Sequence, residues 1–364
     1  MQEFSIFQTY VIYGIVILLT VFFAKTSVKS NYKIVRKLSV FLTILIPSIV
    51  AGLRYYVGTD YETYYNLYII INSGEKTRIE YGFELLNKAL YLIGLNEQSI
   101  FFASSLIIMF FIYKALYRYR ETLDIGLGMG IFMLLYYFSS FNVIRLMIAV
   151  SICFYNVENI KEKNFLKFLI YNLIAISFHN TAITQLPMYF VYNYIVSKKN
   201  IITQLCVYCL IIICMINFNE TFEFILSFIG KEKGVYYSSY IGISQNSIVT
   251  VFKEFLIYCP ILIIGILIYN TASKIDKYYY IYFSNFVIGV ILLSISSLLN
   301  KYVSRIGEYY IIYSITLIQI YSKVLNINKR FTIKWIFILY ALFIFIYSYV
   351  ICGNHEIFPY RSVL

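Results

Sequence analysis

The sequence predicts an all-α, polytopic integral membrane helical bundle with about twelve transmembrane helices. Three observations lead to this class: the apolar composition, a series of apolar segments, and positive charges that alternate between those segments. Hydrophobic residues make up 60% of the 364, charged residues only 13%, and the mean hydropathy is +0.74. A soluble domain of this size leaves much of its surface in water, so it could not cover this much apolar surface. The composition also excludes a disordered chain and a disulfide scaffold.

The apolar segments are close to the length that crosses a hydrocarbon core, about 17–25 residues. We expect them to form a single polytopic membrane domain over residues 1–364, and no connection on the inner side is long enough for a nucleotide-binding domain. The predicted spans lie at 5–24, 38–53, 99–117, 125–140, 143–158, 165–179, 181–197, 201–217, 251–270, 278–299, 306–323 and 334–351.

The distribution of charge supports this topology. With the N-terminus outside, the inner connections hold 19 of the 30 Lys and Arg residues but only 5 of the 18 Asp and Glu residues. Cytoplasmic loops of membrane proteins carry this excess of positive charge. We therefore interpret the net charge of +12 as a determinant of topology and not as a nucleic-acid-binding surface.

Two outer segments, 54–98 and 218–250, are too long to be simple turns. The first contains apolar residues at the spacing of one helical face, namely Tyr64, Leu67, Tyr68 and Ile71. It also contains Glu80, Glu84 and Lys88 at intervals of four, a spacing that favours ion pairs along a helix. We predict helices that lie against the membrane surface in the 54–98 loop.

Arginine and lysine are distributed differently between the two faces. Only six of 21 lysines lie outside, whereas five of nine arginines do: Arg54, Arg78, Arg145, Arg305 and Arg361. Topology does not require Arg on the outer face, and its planar fork of donors matches phosphate and carboxylate. We expect all of them except Arg78 to converge on one outer cavity that binds a diphosphate. The alternative is that each one snorkels or pairs with a nearby Glu.

Asp60 is the only aspartate predicted on the outer face, and it follows Arg54 in the stretch RYYVGTDY. Gly58 permits a turn or a close approach of the backbone. Asp60 would cap a helix that starts at Tyr61, or it would act as a general base or sugar ligand. Both interpretations stay open.

Two further titratable residues are candidates. His179, at the outer end of a span, is either a hydrogen-bonded interface residue or a proton acceptor. Glu308 follows Arg305 by three residues, so it is an ion-pair partner or, alternatively, a base. His355 lies in the outer tail. Two distant histidines and few clustered acids predict no metal site.

Tyrosines crowd the first outer segment and allow two interpretations. They would form an aromatic belt at the headgroup level, or they would bind sugars with their flat rings and polar tips. The residues are Tyr55, Tyr56, Tyr61, Tyr64, Tyr65 and Tyr68.

Several segments resemble the EpsG/Wzy-like polysaccharide polymerases, which make O-antigen, capsule or exopolysaccharide. The most specific element is R-x(3)-G-x-D within AGLRYYVGTDYETYYNLY. The similarity runs in order along nearly the whole chain, through AGLRYYVGTDYETYYNLY (51–68), FNVIRLMIAVSICFYN (141–156), KNFLKFLIYNLIAISFHNTAI (163–183), SRIGEYY (304–310) and PYRSVL (359–364).

This resemblance implies an activity: a growing glycan is transferred from undecaprenyl diphosphate to a lipid-linked oligosaccharide repeat unit. The reaction would take place at the outer face of the bacterial cytoplasmic membrane, without a cofactor, and a chain-length regulator would be a partner. A glycan ligase, or a flippase or transporter of lipid-linked sugars, is the alternative.

The resemblance also implies roles for individual residues. Arg54, Arg145 and Arg305 would hold the diphosphate, and Asp60 or His179 would deprotonate the acceptor hydroxyl. The substrate would be bound further by Tyr56, Gly58, Tyr64, Glu308, Tyr309 and Arg361.

Overall fold

The computed structural model describes residues 2–196, 203–204, 206–210, 248–296, 298, 301–325 and 330–364. Two short strands, β1 (Gln2–Glu3) and β2 (Arg361–Ser362), pair antiparallel. The remaining regular structure is helical. The described residues contain fifteen α-helices: α1 (Ile6–Lys29), α2 (Lys33–Leu53), α3 (Tyr61–Asn72), α4 (Tyr81–Leu92), α5 (Ser99–Tyr117), α6 (Ile125–Phe132), α7 (Ile144–Lys161), α8 (Phe165–Phe178), α9 (Leu186–Phe190), α10 (Ile248–Leu267), α11 (Tyr269–Ile275), α12 (Tyr279–Ser296), α13 (Lys301–Ile311), α14 (Ser314–Val324) and α15 (Arg330–Phe345).

The membrane-helical class is confirmed, but the predicted count of about twelve spans is not. Five helices among the described residues are long and apolar enough to cross a membrane, and the bent pair of α10 and α11 makes a sixth if it counts as one span. The five cover Ile6–Lys29, Lys33–Leu53, Ser99–Tyr117, Tyr279–Ser296 and Ile333–Ile351.

Two predicted spans are broken in the structure. The segment 181–197 forms a 3-10 turn, the short helix α9 and a π-helical turn, because Pro187 lacks an N–H and begins a new helix. The segment 306–323 divides between α13 and α14. The helix α13 is a poor start for a span because nearly half of its residues are polar or glycine. These residues are Lys301, Ser304, Arg305, Gly307 and Glu308. The predicted span 201–217 and loop 218–250 lie largely outside the described residues.

The chain divides into two compact units. Unit 1 comprises Met1–Glu158, Leu166–Ile183 and Leu325–Leu364, and unit 2 comprises Asn159–Phe165 and Thr184–Val324. In unit 1, α1 packs on α2, and α2 packs on α5. In unit 2, the main pairing is between α12 and α13. A single membrane domain over residues 1–364 stays a prediction.

Local sequence explains the helices of unit 1. Ser5 caps α1 through a capping box, in which the Ser5 hydroxyl accepts from the backbone N–H of Gln8 and the Gln8 side chain accepts from the N–H of Ser5. Buried hydroxyls inside the spans donate back to the preceding turn, at 2.7 Å from Thr20 to the carbonyl of Val16. Such a bond satisfies the hydroxyl within its own helix, which lowers its cost inside a membrane.

The 54–98 segment contains two helices, α3 and α4. On α3 the buried side chains are Tyr61, Tyr64, Tyr68 and Ile71, close to the face that the sequence indicates. On α4 the Glu84 carboxylate pairs with Lys88 one turn later, on the exposed side. The position of these helices at a membrane surface stays a prediction.

Gly289 marks a close approach between two helix backbones in unit 2. A Cβ built on it would lie 2.6 Å from the backbone nitrogen of Ile311 at the end of α13, so α12 and α13 approach each other directly at this point. A rigid backbone cannot move aside as a flexible side chain can.

We expect Gly289→Ala to destabilise the purified protein by about 1–3 kcal/mol, because the added methyl forces the two helices apart. Thermal unfolding in detergent measures the change. Gly14→Ala is the matched control, since no atom lies within 4 Å of the Cβ position at Gly14 in α1. Its midpoint should be unchanged or slightly higher, because Ala favours helix more than Gly does. Equal midpoints for the two variants would contradict the close approach.

Candidate functional site

One end of unit 1 brings together helix ends that are far apart in the sequence. The segment after α2 and the C-terminal tail run side by side, with the N–H of Tyr55 bonded to the carbonyl of Arg361 and the N–H of Val363 to the carbonyl of Leu53, both at 2.9 Å. The tail also pairs through β2 with β1. The polar residues nearest to these paired segments form the candidate site.

Arg54 is the centre of this site, and its side chain is fully buried at 1% exposure. Its guanidinium carbon lies 4.5 Å from the ring centroids of both Phe101 and Phe141, so the cation is sandwiched between two aromatic faces. The Nε and one terminal nitrogen of Arg54 are buried without a hydrogen-bond partner among the described residues. A buried guanidinium with unused donors is chemically suited to receive an anion.

The electrostatic surroundings of Arg54 are unusual for a buried cation. Burial lowers the pKa of Arg54 to about 10, so the group stays protonated at neutral pH. The described part of the chain contains no salt bridge to Arg54, and the ionisable groups that influence its pKa are tyrosines, which are uncharged at neutral pH. These tyrosines are Tyr137, Tyr61, Tyr13 and Tyr360. An isolated buried charge is costly unless something pairs with it.

Two turns meet beside Arg54 and are joined by the side chain of Asn142. Its Oδ1 accepts from the N–H of Asp60 at 3.2 Å, and its Nδ2 donates to the carbonyl of His355 at 3.0 Å. The N–H of Gly58 donates to the carbonyl of Glu356 at 3.1 Å. Gly58 has φ of +99° and a Cβ there would lie 2.4 Å from Asn142 Oδ1, so only glycine fits this turn.

Asp60 precedes α3 at the capping position, but its side chain makes no capping hydrogen bond to the helix. Its carboxylate accepts only a long bond of 3.4 Å from the Thr59 hydroxyl among the described contacts. Of the two interpretations of Asp60, the structure therefore leaves its carboxylate available for a role at the site.

Arg145 is placed differently from Arg54. It is the second residue of α7, and its guanidinium forms an ion pair with Glu80, whose other oxygen accepts from the N–H of Asn180 at 3.3 Å. Burial raises the pKa of Tyr64, and the charge of Arg145 acts in the opposite direction. The charge of Arg145 is thus already neutralised within unit 1, although its Nε is buried without a partner among the described residues.

The remaining predicted residues of unit 1 vary in position. His179 is 6% exposed, and its Nδ1 lies 2.6 Å from the Thr181 hydroxyl, as expected of a hydrogen-bonded interface residue. Arg361 pairs with Glu3 at 3.4 Å on the strand pair. Tyr56 is 49% exposed, with its ring beside those of Tyr55 and Tyr61.

Three predicted residues belong to unit 2. The Arg305 guanidinium lies 5.4 Å from the ring of Tyr302, one turn back along α13. No ion pair between Arg305 and Glu308 is present among the described contacts, because Arg305 is turned toward Tyr302 instead. Glu308 is half-buried and Tyr309 is buried. Convergence of Arg305 with the unit 1 arginines stays a prediction.

Sequence reasoning missed four residues that shape the site: Phe101, Phe141, Asn142 and His355. Phe141 and Asn142 stand at the start of a segment that carries the family resemblance, so that segment was a usable signal. His355 and Phe101 had no comparable signal. Among the described residues, no group of three or more His, Cys, Asp or Glu side chains is arranged to hold a metal ion.

Comparison with known protein families identifies the chain. The model of the EpsG family matches residues 37–362, which is nearly the whole sequence. The chain belongs to the EpsG family. No curated protein and no solved structure matches it. In this EpsG-family chain, the match covers every residue of the site around Arg54, including the tail up to Ser362.

We expect Asn142→Ala to loosen the two turns at the site, because both of its side-chain hydrogen bonds are lost. Each such bond contributes about 1 kcal/mol, so amide exchange at residues 55–60 and 353–358 should become roughly tenfold faster. Hydrogen exchange with mass spectrometry on the detergent-solubilised protein measures this. Asn354→Ala, an exposed residue in the same tail turn, is the control and should leave the exchange unchanged. Equal exchange in both variants would show that Asn142 does not hold the turns together.

Proposed function

We propose that this chain is a polysaccharide polymerase. It transfers a growing glycan from undecaprenyl diphosphate to a lipid-linked oligosaccharide repeat unit. Membership of the EpsG family and the apolar helices support a membrane enzyme of polysaccharide biosynthesis. The single observation that carries the specific reaction is Arg54, a buried guanidinium with unused donors and no acidic partner among the described residues.

The leaving group of this reaction explains why a buried arginine would be required. When the glycosidic bond breaks, negative charge grows on the diphosphate oxygen. A planar guanidinium binds such oxygens in pairs, and it binds them more strongly as the charge develops. Because Arg54 lies in a dry, aromatic environment, its interaction with the diphosphate is stronger than it would be in water.

Other groups near Arg54 fit the remaining parts of the substrate. The exposed ring of Tyr56 and its neighbours offers a flat surface of the kind that packs against sugars. Arg361 lies on β2 next to Ser362, which bridges to Arg54, so it would assist with the diphosphate. Arg145 would order the wall of the site through Glu80.

The proposed location is the outer face of the bacterial cytoplasmic membrane. Arg54 follows the end of α2, whereas α1 ends at Lys29 and α2 begins at Lys33, so the α1–α2 connection lies at the opposite end of α2 from Arg54. The excess of positive charge in this and the other predicted inner connections supports their assignment to the cytoplasm. A lipid-linked donor would reach the site from the bilayer, and no nucleotide sugar would be needed. A chain-length regulator would be a partner in cells.

We expect Arg54→Lys to reduce glycan polymerisation by about 100-fold or more. Lysine keeps the charge but loses the planar fork and the stacking on both rings, and loss of one such donor in other enzymes costs 10²–10³ in rate. Purified protein reconstituted with lipid-linked repeat units would show this as loss of the glycan ladder. Binding of undecaprenyl diphosphate should weaken at least tenfold.

Arg78→Lys is the matched control, since Arg78 is an exposed arginine of the same outer segment. It should make a ladder of normal length. A normal ladder from Arg54→Lys would contradict the role of Arg54. Movement of the lipid-linked sugar across the bilayer without glycan elongation by the wild type would favour a flippase instead.

A further inference from the structure

The tail turn that contains His355 faces the turn that contains Asp60. Asn142 bonds to both, to the N–H of Asp60 and to the carbonyl of His355, and the Gly58 to Glu356 bond closes the same junction. Asn142 and His355 are separated by 213 positions in the sequence, so only folding brings them together. The geometry places a histidine next to the one aspartate of the site.

The immediate environment of His355 is that of a usable proton acceptor. The residue is half-buried, with its ring 6.0 Å from that of Tyr349. Burial lowers the pKa of His355 from its ordinary value of 6.5, while the Asp60 carboxylate acts in the opposite direction. The imidazole is therefore neutral at pH 7 and able to accept a proton.

The backbone at this turn is held in an uncommon conformation. His355 has φ of +69° and Glu356 has φ of +48°, both in the left-handed region that non-glycine residues seldom adopt. Consecutive residues of this kind cost free energy and persist only where surrounding contacts hold them, which occurs preferentially at functional sites. At His355 the holding contacts are those made by Asn142 and Gly58.

His179, the histidine that the sequence favoured, is less well placed. It is 6% exposed, and its Nδ1 is engaged with the hydroxyl of Thr181, two residues along the chain. The described contacts of His179 do not include Asp60 or Arg54. His355, in contrast, shares a hydrogen-bonded junction with the turn that follows Arg54.

We propose that His355 is the general base of the polymerase, and that Asp60 is a positioning residue whose carboxylate charge stabilises the protonated ring. This assignment rests on the proposed function. It names a catalytic residue that neither the composition nor the motifs of the sequence indicate.

In the proposed step, His355 takes the proton and the diphosphate is the leaving group. The acceptor hydroxyl oxygen attacks the anomeric carbon of the growing glycan, and its proton passes to an unprotonated ring nitrogen of His355. The bond from the anomeric carbon to the diphosphate oxygen breaks, and its electron pair leaves with the diphosphate beside Arg54. The imidazolium, stabilised by the Asp60 carboxylate, then releases its proton to water.

The groups around His355 are few enough for a pH experiment to be interpretable. Asp60 faces it from the turn after α2, Tyr349 from the π-helical turn after α15, and Glu356 is its exposed neighbour in the chain. Of these, Asp60 and Glu356 are the acidic residues. The fall in turnover on the acidic side of the pH profile, here called the acidic limb, should therefore report the protonation of His355.

The test uses full-length protein reconstituted with lipid-linked repeat units. His355→Asn tolerates the left-handed backbone but offers no base, so it should fold, bind undecaprenyl diphosphate within threefold of wild type and lose about 100-fold or more in turnover. Its residual activity should lack the acidic limb. Glu356→Asn is the matched control, in the same turn with the same backbone conformation, and should retain wild-type turnover.

Asp60→Asn tests whether the Asp60 carboxylate acts on the protonation of His355. Without the carboxylate, the pKa of His355 falls further, so the acidic limb should move to lower pH while turnover decreases about tenfold. A purely structural role for Asp60 would lower activity at all pH values without moving the limb.

Two outcomes would overturn the assignment. If His355→Asn retains wild-type turnover and an acidic limb, or if His179→Gln causes the large loss instead, His355 is not the base, while the proposed function stands because the wild type still elongates glycan. If the wild type elongates no glycan at all, the proposed function fails and the base assignment fails with it.

Discussion

The guanidinium of Arg54 lies out of water between the rings of Phe101 and Phe141, and much of unit 1 is organised around that placement. A buried cation must be compensated, and here the faces of two aromatic rings contact the guanidinium where other proteins use a carboxylate. The hydroxyl protons of Tyr13 and Tyr137 are donated to backbone carbonyls, of Ile357 and Pro47 respectively. These bonds fix the rings around the charge and leave its own donors unused.

The C-terminal tail completes this arrangement. It pairs with β1, bonds to the segment on either side of Arg54, and supplies the carbonyls that receive Asn142 and Gly58. Tyr360 reaches from the tail to the carbonyl of Val50 near the end of α2, at 2.8 Å. The site is therefore built from segments near both ends of the sequence rather than from one loop. Backbone hydrogen bonds hold these segments together.

Different parts of the site were predictable to different degrees. Arg54, Gly58 and Asp60 were identified because they follow a span end within seven residues and form a recognisable motif. Pairing of an outer arginine with a glutamate was among the alternatives that the sequence left open, and the structure shows it for Arg145 with Glu80 and for Arg361 with Glu3. His355 could not be assigned from sequence, because a lone histidine in a tail has no periodicity or spacing that indicates its neighbours. The count of about twelve spans is not confirmed, and Pro187 and the division between α13 and α14 interrupt two apolar runs that composition alone treats as continuous.

The amino-acid order by itself determined that lipid is the solvent of this chain, where most of its helices lie, and which connections carry positive charge. These are local properties, since burial in lipid and helix formation depend on the residues within one span. Folding alone decided that Arg54 is buried without a counterion among the described residues and that His355 adjoins the turn of Asp60. Those outcomes depend on distances between segments that are hundreds of residues apart, and hydropathy and spacing contain no information about such distances.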